Sequence, residues 1–278
     1  MILSFFSTQG FIVLEIFMYC LLFGSFTGLI SGLLGIGGGI AIVPFLAWLL
    51  PPHGMPVETS MQTAIATSLA TIIITSLSAI YAQNKRGAID WKVVKYFTPG
   101  IAIGAYFGAH LVHYLTTELL SMVFGGFLLL NGLRMALKLT PNPERKLPSP
   151  LPLSLAGSVL GILSTLIGIG GGTFTVPYML LHNVPMKKAI AFGSTFGLPI
   201  AIFGAISFII LGLKNTIPIE GNIGYINIPA FLGISVASLF AAPIGVHLAH
   251  TIPTGAMKKT FAVIMLFVGL KMFISAIF

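Results

Sequence analysis

The chain has 278 residues, of which 7% are charged and 56% hydrophobic, with a mean hydropathy of +1.02. A soluble domain carries about 25% charged residues, so this surface is suited to lipid rather than water. The formal charge of +8 therefore reads as Lys and Arg in short loops that anchor a topology, not as a nucleic-acid surface, and a lone Cys20 excludes a disulfide framework and any multi-cysteine metal cluster.

Met1 to Gly10 has no basic n-region, so no cleavable signal peptide is expected. Five apolar segments follow, roughly Phe11–Leu34, Ile40–Leu50, Ser60–Ala82, Val93–Leu115 and Leu119–Leu137. They are long and continuous, unlike the alternating strands of about ten residues in a membrane barrel. Next comes a polar, Pro-rich stretch, Pro141 to Pro148, and then five more segments. These are roughly Leu151–Ile167, Thr173–Leu181, Ala189–Leu213, Ile226–Ala249 and Ala256–Phe278.

The second five repeat the first. Gly28 to Pro44 and Gly161 to Pro177 agree at 10 of 17 positions with an offset of 133. Ala64-Ile65-Ala66 recurs as Ala189-Ile190-Ala191 at an offset of 125. At an offset of 137, Gly108, His110, His113, Phe124, Gly132 and Met135 recur as Gly245, His247, His250, Phe261, Gly269 and Met272. Three collinear blocks mark a duplication: a first transmembrane repeat over 1–140, a cytoplasmic linker over 141–150 and a second repeat over 151–278.

A full crossing needs about 20 residues, and the segment after each Gly-Ile-Gly-Gly-Gly block is shorter. Each first pair of segments is therefore expected to form a helical hairpin that turns inside the membrane. The basic loops fix the orientation. Lys85, Arg86, Lys92, Lys95, Arg134, Lys138, Arg145, Lys146, Lys187, Lys188, Lys258 and Lys259 all lie inside only if each repeat crosses an odd number of times. The expected fold is thus all-α and integral to the membrane, with 8–10 helical segments. It consists of two inverted repeats, each a Gly-tipped hairpin plus three transmembrane helices, with both termini outside. Secondary transporters share that architecture.

Three consecutive glycines in an apolar helix cost about 1 kcal/mol each relative to Ala. They break the helix and leave backbone N–H groups free at the start of the next one. Such a helix start binds anions without a charged side chain. Gly35, Gly37, Gly38 and Gly39, with Gly168, Gly170, Gly171 and Gly172, are the candidate site residues, and the two tips are expected to meet. No Lys-Ser/Thr follows them, which excludes a nucleotide P-loop. Gly28, Gly32 and Gly161 read instead as packing glycines. Pro44 and Pro177 fit either the first turn or a kink.

Hydroxyls at Thr67 and Ser68, and at Ser194 and Thr195, could complete an oxyanion's hydrogen bonds; back-bonding to the i−4 carbonyl is the alternative. Thr63 lies one turn before Thr67, and Gln62 beside it. Among the acids only Glu15 falls within a span, near its end, which weighs against a cation carrier. The i, i+3 pairs His110/His113 and His247/His250 fit proton coupling or interfacial packing. No metal site, cofactor motif or catalytic nucleophile is evident, so neither cofactor nor enzyme activity is expected.

These motifs resemble the TauE/SafE family, also called the sulfite exporter or TSUP family. The resemblance rests on the paired Gly-x-Gly-Gly-Gly blocks, on Ala66-Thr67-Ser68, and on the stretch from Ala189-Ile190-Ala191 to Gly197-Leu198-Pro199. Where related members carry Thr-Ser in the second copy, this chain has Phe192-Gly193. The resemblance implies a multi-pass carrier of the bacterial inner membrane for sulfite, an organosulfonate or another sulfur-containing anion. Its partners would be a small anionic substrate, lipid and a coupling ion for which the proton is the candidate, with no nucleic acid. An anion channel of the same fold is the alternative reading.

Overall fold

The computed structural model describes residues 2–34, 38–137, 147–215, 219–248 and 254–277. The first half holds α1 (Ile2–Leu34), α2 (Gly39–Leu49), α3 (Ser60–Lys85), α4 (Trp91–Tyr114) and α5 (Thr117–Ala136). The second holds α6 (Pro150–Ile167), α7 (Gly172–Leu181), α8 (Met186–Asn215), α9 (Ile228–Leu248) and α10 (Thr254–Ser275). The sequence offsets reappear in these bounds. Adding 133 carries the start of α2 to that of α7. Adding 137 carries the start of α4 to that of α9.

Local signals set several boundaries. Asp90 caps α4 by accepting from Lys92 N–H at 3.0 Å, as an N-cap carboxylate does. Pro150 opens α6, where a missing N–H is harmless. Pro44 and Pro177 both lie inside their short helices, where each removes one intrahelical bond. A two-residue antiparallel pairing, β1 (Asn222–Ile223) with β2 (Ile226–Asn227), precedes α9. It forms because Asn227 has several partners at once. Its Nδ2 donates to Asn222 Oδ1 at 2.8 Å, and its Oδ1 accepts from Ala230 N–H at 3.0 Å at the start of α9.

Helix contacts run through small residues. Gly100 and Gly104 of α4 leave no room for a Cβ against the carbonyls of Ser154 and Ser158 on α6. From the other side, a Cβ on Gly157 would lie 2.7 Å from Phe97 O, and one on Gly161 would lie 2.6 Å from Ile101 O. α4 and α6 are therefore parallel and in close backbone contact, as small-residue interfaces allow. Gly24 and Gly28 of α1 face Ile234 and Ser238 of α9 in the same way, and Ser238 Oγ donates to Gly24 O at 3.1 Å. Gly28 and Gly161 are thus packing glycines. The other two pairings are antiparallel. Gly197 and Gly204 of α8 face Ser76 and Leu69 of α3, while Gly125 and Gly132 of α5 face Phe273 and Ala262 of α10.

The pairings obey one exchange. Swapping the halves turns α1·α9 into α6·α4 and leaves α3·α8 and α5·α10 unchanged. The counterparts α3 and α8 run antiparallel, as do α5 and α10. Five stretches among the described residues are helical, long and apolar enough to cross a membrane: Gly10–Ser31, Val57–Lys85, Thr117–Ala136, Pro150–Ile167 and Met186–Lys214. The α3 and α8 stretches are 61% and 56% buried, against 28–33% for the other three, so α3 and α8 form the centre. At 1.5 Å per residue, α2 and α7 reach only about 15 Å, half of a hydrocarbon core of about 30 Å. Their N-terminal ends abut α3 and α8.

Candidate functional site

The second hairpin turns on a left-handed glycine. Gly168, at φ 71° and ψ 30°, ends α6, a conformation that glycine adopts without penalty. Its N–H donates to Thr165 O at 3.1 Å and that of Ile169 to Ser164 O at 2.9 Å. α7 then begins, and Thr175 N–H donates to Gly171 O at 2.8 Å. The amides just before Thr175 precede the first intrahelical bond and point out of the helix start, with its partial positive charge.

The two tips meet. A Cβ on Gly39 would stand 2.7 Å from Gly168 O and 3.2 Å from Ser68 Oγ. Ser68 Oγ itself donates to Gly168 O at 2.8 Å, buried. One hydroxyl from α3 thus locks the turn of the second hairpin beside the start of the first hairpin's short helix.

A cavity of about 100 Å³ lies against the second tip, enough for several water-sized groups. Gly170, Gly171 and Gly172 form one wall, and Gly193, Ser194 and Gly197 of α8 form another. Ile72, Thr75, Ser76 and Ala79 of α3 and Ser31 of α1 close it. No lining side chain is ionisable. Thr75 Oγ1 donates to Ile72 O at 3.3 Å and Ser194 Oγ to Ile190 O at 3.2 Å. Ser76 differs: only 6% exposed, it has no hydrogen-bond partner among the described residues. Its hydroxyl is open to the cavity rather than enclosed. Enclosed hydroxyls without a partner, which are uncommon, occur at Ser164, Thr165, Thr173 and Thr175, all on the arms of this hairpin.

The residues singled out from sequence divide accordingly. Gly170, Gly171, Gly172 and Ser194 line the cavity, Gly168 shapes the turn, and Gly39 is at the contact between tips. Gly38 has only the side chains of Ile42 and Thr27 near it, and Gly35 and Gly37 lie outside the described residues. Thr67, Ser68 and Thr195 are not in the lining. Thr67 Oγ1 accepts from Asn227 N–H at 3.0 Å, which ties β2 to α3. Thr195 Oγ1 donates back to Ala191 O at 2.8 Å. Ser31, Thr75 and Ser76 were not singled out as candidates. The available signal was the continuation of the α3 hydroxyl series one and two turns beyond Ser68 (Thr71, Thr75, Ser76).

His110 and His113 are not in the cavity lining. His110 Nδ1 is 2.9 Å from Tyr106 O, on the same helix. His113 Nδ1 is 2.9 Å from the hydroxyl of Tyr225, between β1 and β2; burial pushes that phenol above its ordinary range. His247 falls in α9, but its side chain, like the whole of His250, lies outside the described residues.

Two broken hairpins with touching tips, set among long apolar helices around a neutral polar cavity, define a multi-pass helical membrane transporter. The family described as "Sulfite exporter TauE/SafE" matches residues 20–272. The chain belongs to that family. It is 34% identical to a "Probable membrane transporter protein" of Haemophilus influenzae, covering 92% of this chain and 98% of the relative. Proteins described in the same words from Methanocaldococcus jannaschii and Bacillus subtilis are 29% and 27% identical, covering 90% and 94% of this chain and 92% and 99% of the relatives. No solved structure matches.

Proposed function

We propose that this protein is a secondary transporter that moves a small oxyanion, sulfite or an organosulfonate foremost, across the bacterial inner membrane by alternating access. The observation that carries this reading is the cavity at the start of α7. Its free amides, the unpartnered Ser76 hydroxyl and the absence of any ionisable lining residue suit a bound anion. Hydrogen bonds to a charged acceptor are roughly twice as strong as neutral ones. A few such donors offset part of the anion's desolvation yet leave it free to depart, which a buried Arg or Lys would hinder. The sulfur-containing substrate is drawn from the family description.

The antiparallel relation of α3 to α8 and α5 to α10 supports an inverted arrangement with both termini periplasmic. Alternating access would then move one half against the other around the tips. The His110/His113 and His247/His250 pairs are the candidate route for protons if flux is proton-coupled. Reconstituted protein tests the reading. Labelled sulfite is loaded into proteoliposomes, and efflux is followed with unlabelled sulfite, thiosulfate, methanesulfonate, taurine or acetate outside. Saturable efflux accelerated by a sulfur oxyanion outside is expected. Conductance far above carrier turnover would replace the carrier with an anion channel, and no flux of any anion in the panel would overturn the proposal.

A further inference from the structure

The tips of the two hairpins rest on equivalent helices, and those helices differ where the tips touch them. At the offset of 125 that relates α3 to α8, Ser68 corresponds to Gly193 and Ile72 to Gly197. On α8 both positions lack a side chain and both line the cavity. On α3 both carry one. Ser68 Oγ is spent on Gly168 O at 2.8 Å. Ile72 reaches across with its Cγ2, 3.3 Å from the position a Cβ on Gly170 would take and 3.8 Å from that on Gly197.

Gly197 marks a particular point in the cavity. A Cβ built there would lie 2.8 Å from Ser76 Oγ and 3.5 Å from Gly171 N. The first is the cavity-facing hydroxyl of a buried residue, without a partner among the described residues, the second an amide ahead of the first bond of α7. Donor–acceptor distances in hydrogen bonds are about 2.7–3.2 Å, and this point lies between the two donors, so an acceptor that reaches both passes close to the bare face of Gly197, which lines the cavity. The missing side chain keeps that approach clear.

We infer that the protein holds one anion site, built on the second hairpin alone, and that Gly197 is the residue that sets its size. This rests on the reading of the cavity as the substrate site. The first hairpin serves as a brace: its counterpart positions are occupied by Ser68, which fastens the second tip, and by Ile72, which walls the site. A methyl group at position 197 crowds Ser76 Oγ and stands between the two donors, which hinders an anion's approach to them. Shortening Ile72 widens the same site and favours a sulfonate carrying a carbon substituent over bare sulfite.

Equilibrium binding of sulfite and of methanesulfonate to the purified full-length protein in detergent tests this, with elution on size exclusion as the check of folding. Wild type is expected to bind one anion per chain. Gly197→Ala should weaken sulfite binding by about tenfold or more, the worth of one lost bond to a charged group. Gly126→Ala, with nothing within 4 Å of its Cβ, should bind as wild type. Ile72→Ala, which only removes volume, should shift the ratio of affinities toward methanesulfonate, and it decides the question if Gly197→Ala aggregates. Two equivalent sites per chain, or wild-type affinity in folded Gly197→Ala, or an unchanged ratio in Ile72→Ala, would overturn the inference while leaving the transporter reading intact. Saturable binding of neither anion to wild type would overturn both.

Discussion

The two hairpins are close copies in sequence and unlike in use. Around the second tip, described from Gly168 to Gly172, a cavity opens between α3, α8 and α1. Beside the first, Gly39 is pressed against Gly168 O, with Ser68 filling the space between. Both copies keep the glycines, so the glycines explain the broken helices but not the site. The difference comes from α3 and α8, whose residues facing the tips have diverged: Ser68 and Ile72 on one, Gly193 and Gly197 on the other. If the second tip holds the anion as inferred, a duplicated membrane protein keeps two hairpins for packing while one of them carries the ligand.

Gly171→Leu should sharpen the contrast most. A Cβ there would lie 2.7 Å from Gly193 O and 3.0 Å from Gly197 N, both backbone, so the helix start cannot seat against α8. Loss of folded protein is expected, seen as aggregation on size exclusion. Among the described residues, the nearest atoms to a Cβ at the counterpart Gly38 are Ile42 Cδ1 at 3.1 Å and Thr27 Cβ at 3.7 Å, both in side chains. Gly38→Leu should fold, and survival of both variants would erase the asymmetry in packing.

Ser76→Ala should come next. It removes the unpartnered hydroxyl without breaking any hydrogen bond of the described protein. Affinity for the transported anion should fall by about tenfold, the worth of a hydrogen bond to a charged group, with the thermal midpoint unchanged. A midpoint that drops while affinity holds would make Ser76 a structural hydroxyl.

Ser68→Ala should do the reverse. It deletes the 2.8 Å bond to Gly168 O, worth about 1 kcal/mol net. The melting temperature should fall by a few degrees while anion affinity at saturation of folded protein stays near wild type. An affinity loss equal to that of Ser76→Ala would place Ser68 in the site after all.

The smallest expected effect is that of His110→Gln. Its Nδ1 contact is the Tyr106 carbonyl of its own helix, a local bond that Gln or water replaces. Flux driven by a pH gradient should change by less than about twofold in this single variant. Abolished pH-driven flux with exchange intact would instead establish His110 as a coupling group.

Much of the fold was legible because membrane helices obey few rules. Lack of water in the hydrocarbon forces every backbone group into a helix, so length and apolarity alone give the segments. The duplication, read at Gly28–Pro44 against Gly161–Pro177, carries over to the starts of α2 and α7 without a residue of slip. The β1–β2 pairing was not legible, since it depends on Asn227 reaching Asn222, Ala230 and Thr67 together.

Within the site, sequence determined the parts that are local. Runs of glycine cannot continue an apolar helix, so the breaks before α2 and α7, and the free amides at the start of α7, follow from Gly38-Gly39 and Gly170-Gly171-Gly172. Which hydroxyl faces the amides was decided only by tertiary packing. Ser68 and Ser76 are the same residue type two turns apart on one helix. Antiparallel docking of α8 puts Gly197 against Ser76 and leaves the Ser76 hydroxyl at the cavity, while the second tip's turn brings Gly168 O onto Ser68. Spacing along one chain carries no information about which neighbour stands across a helix interface, and that neighbour separates a fastening from a site.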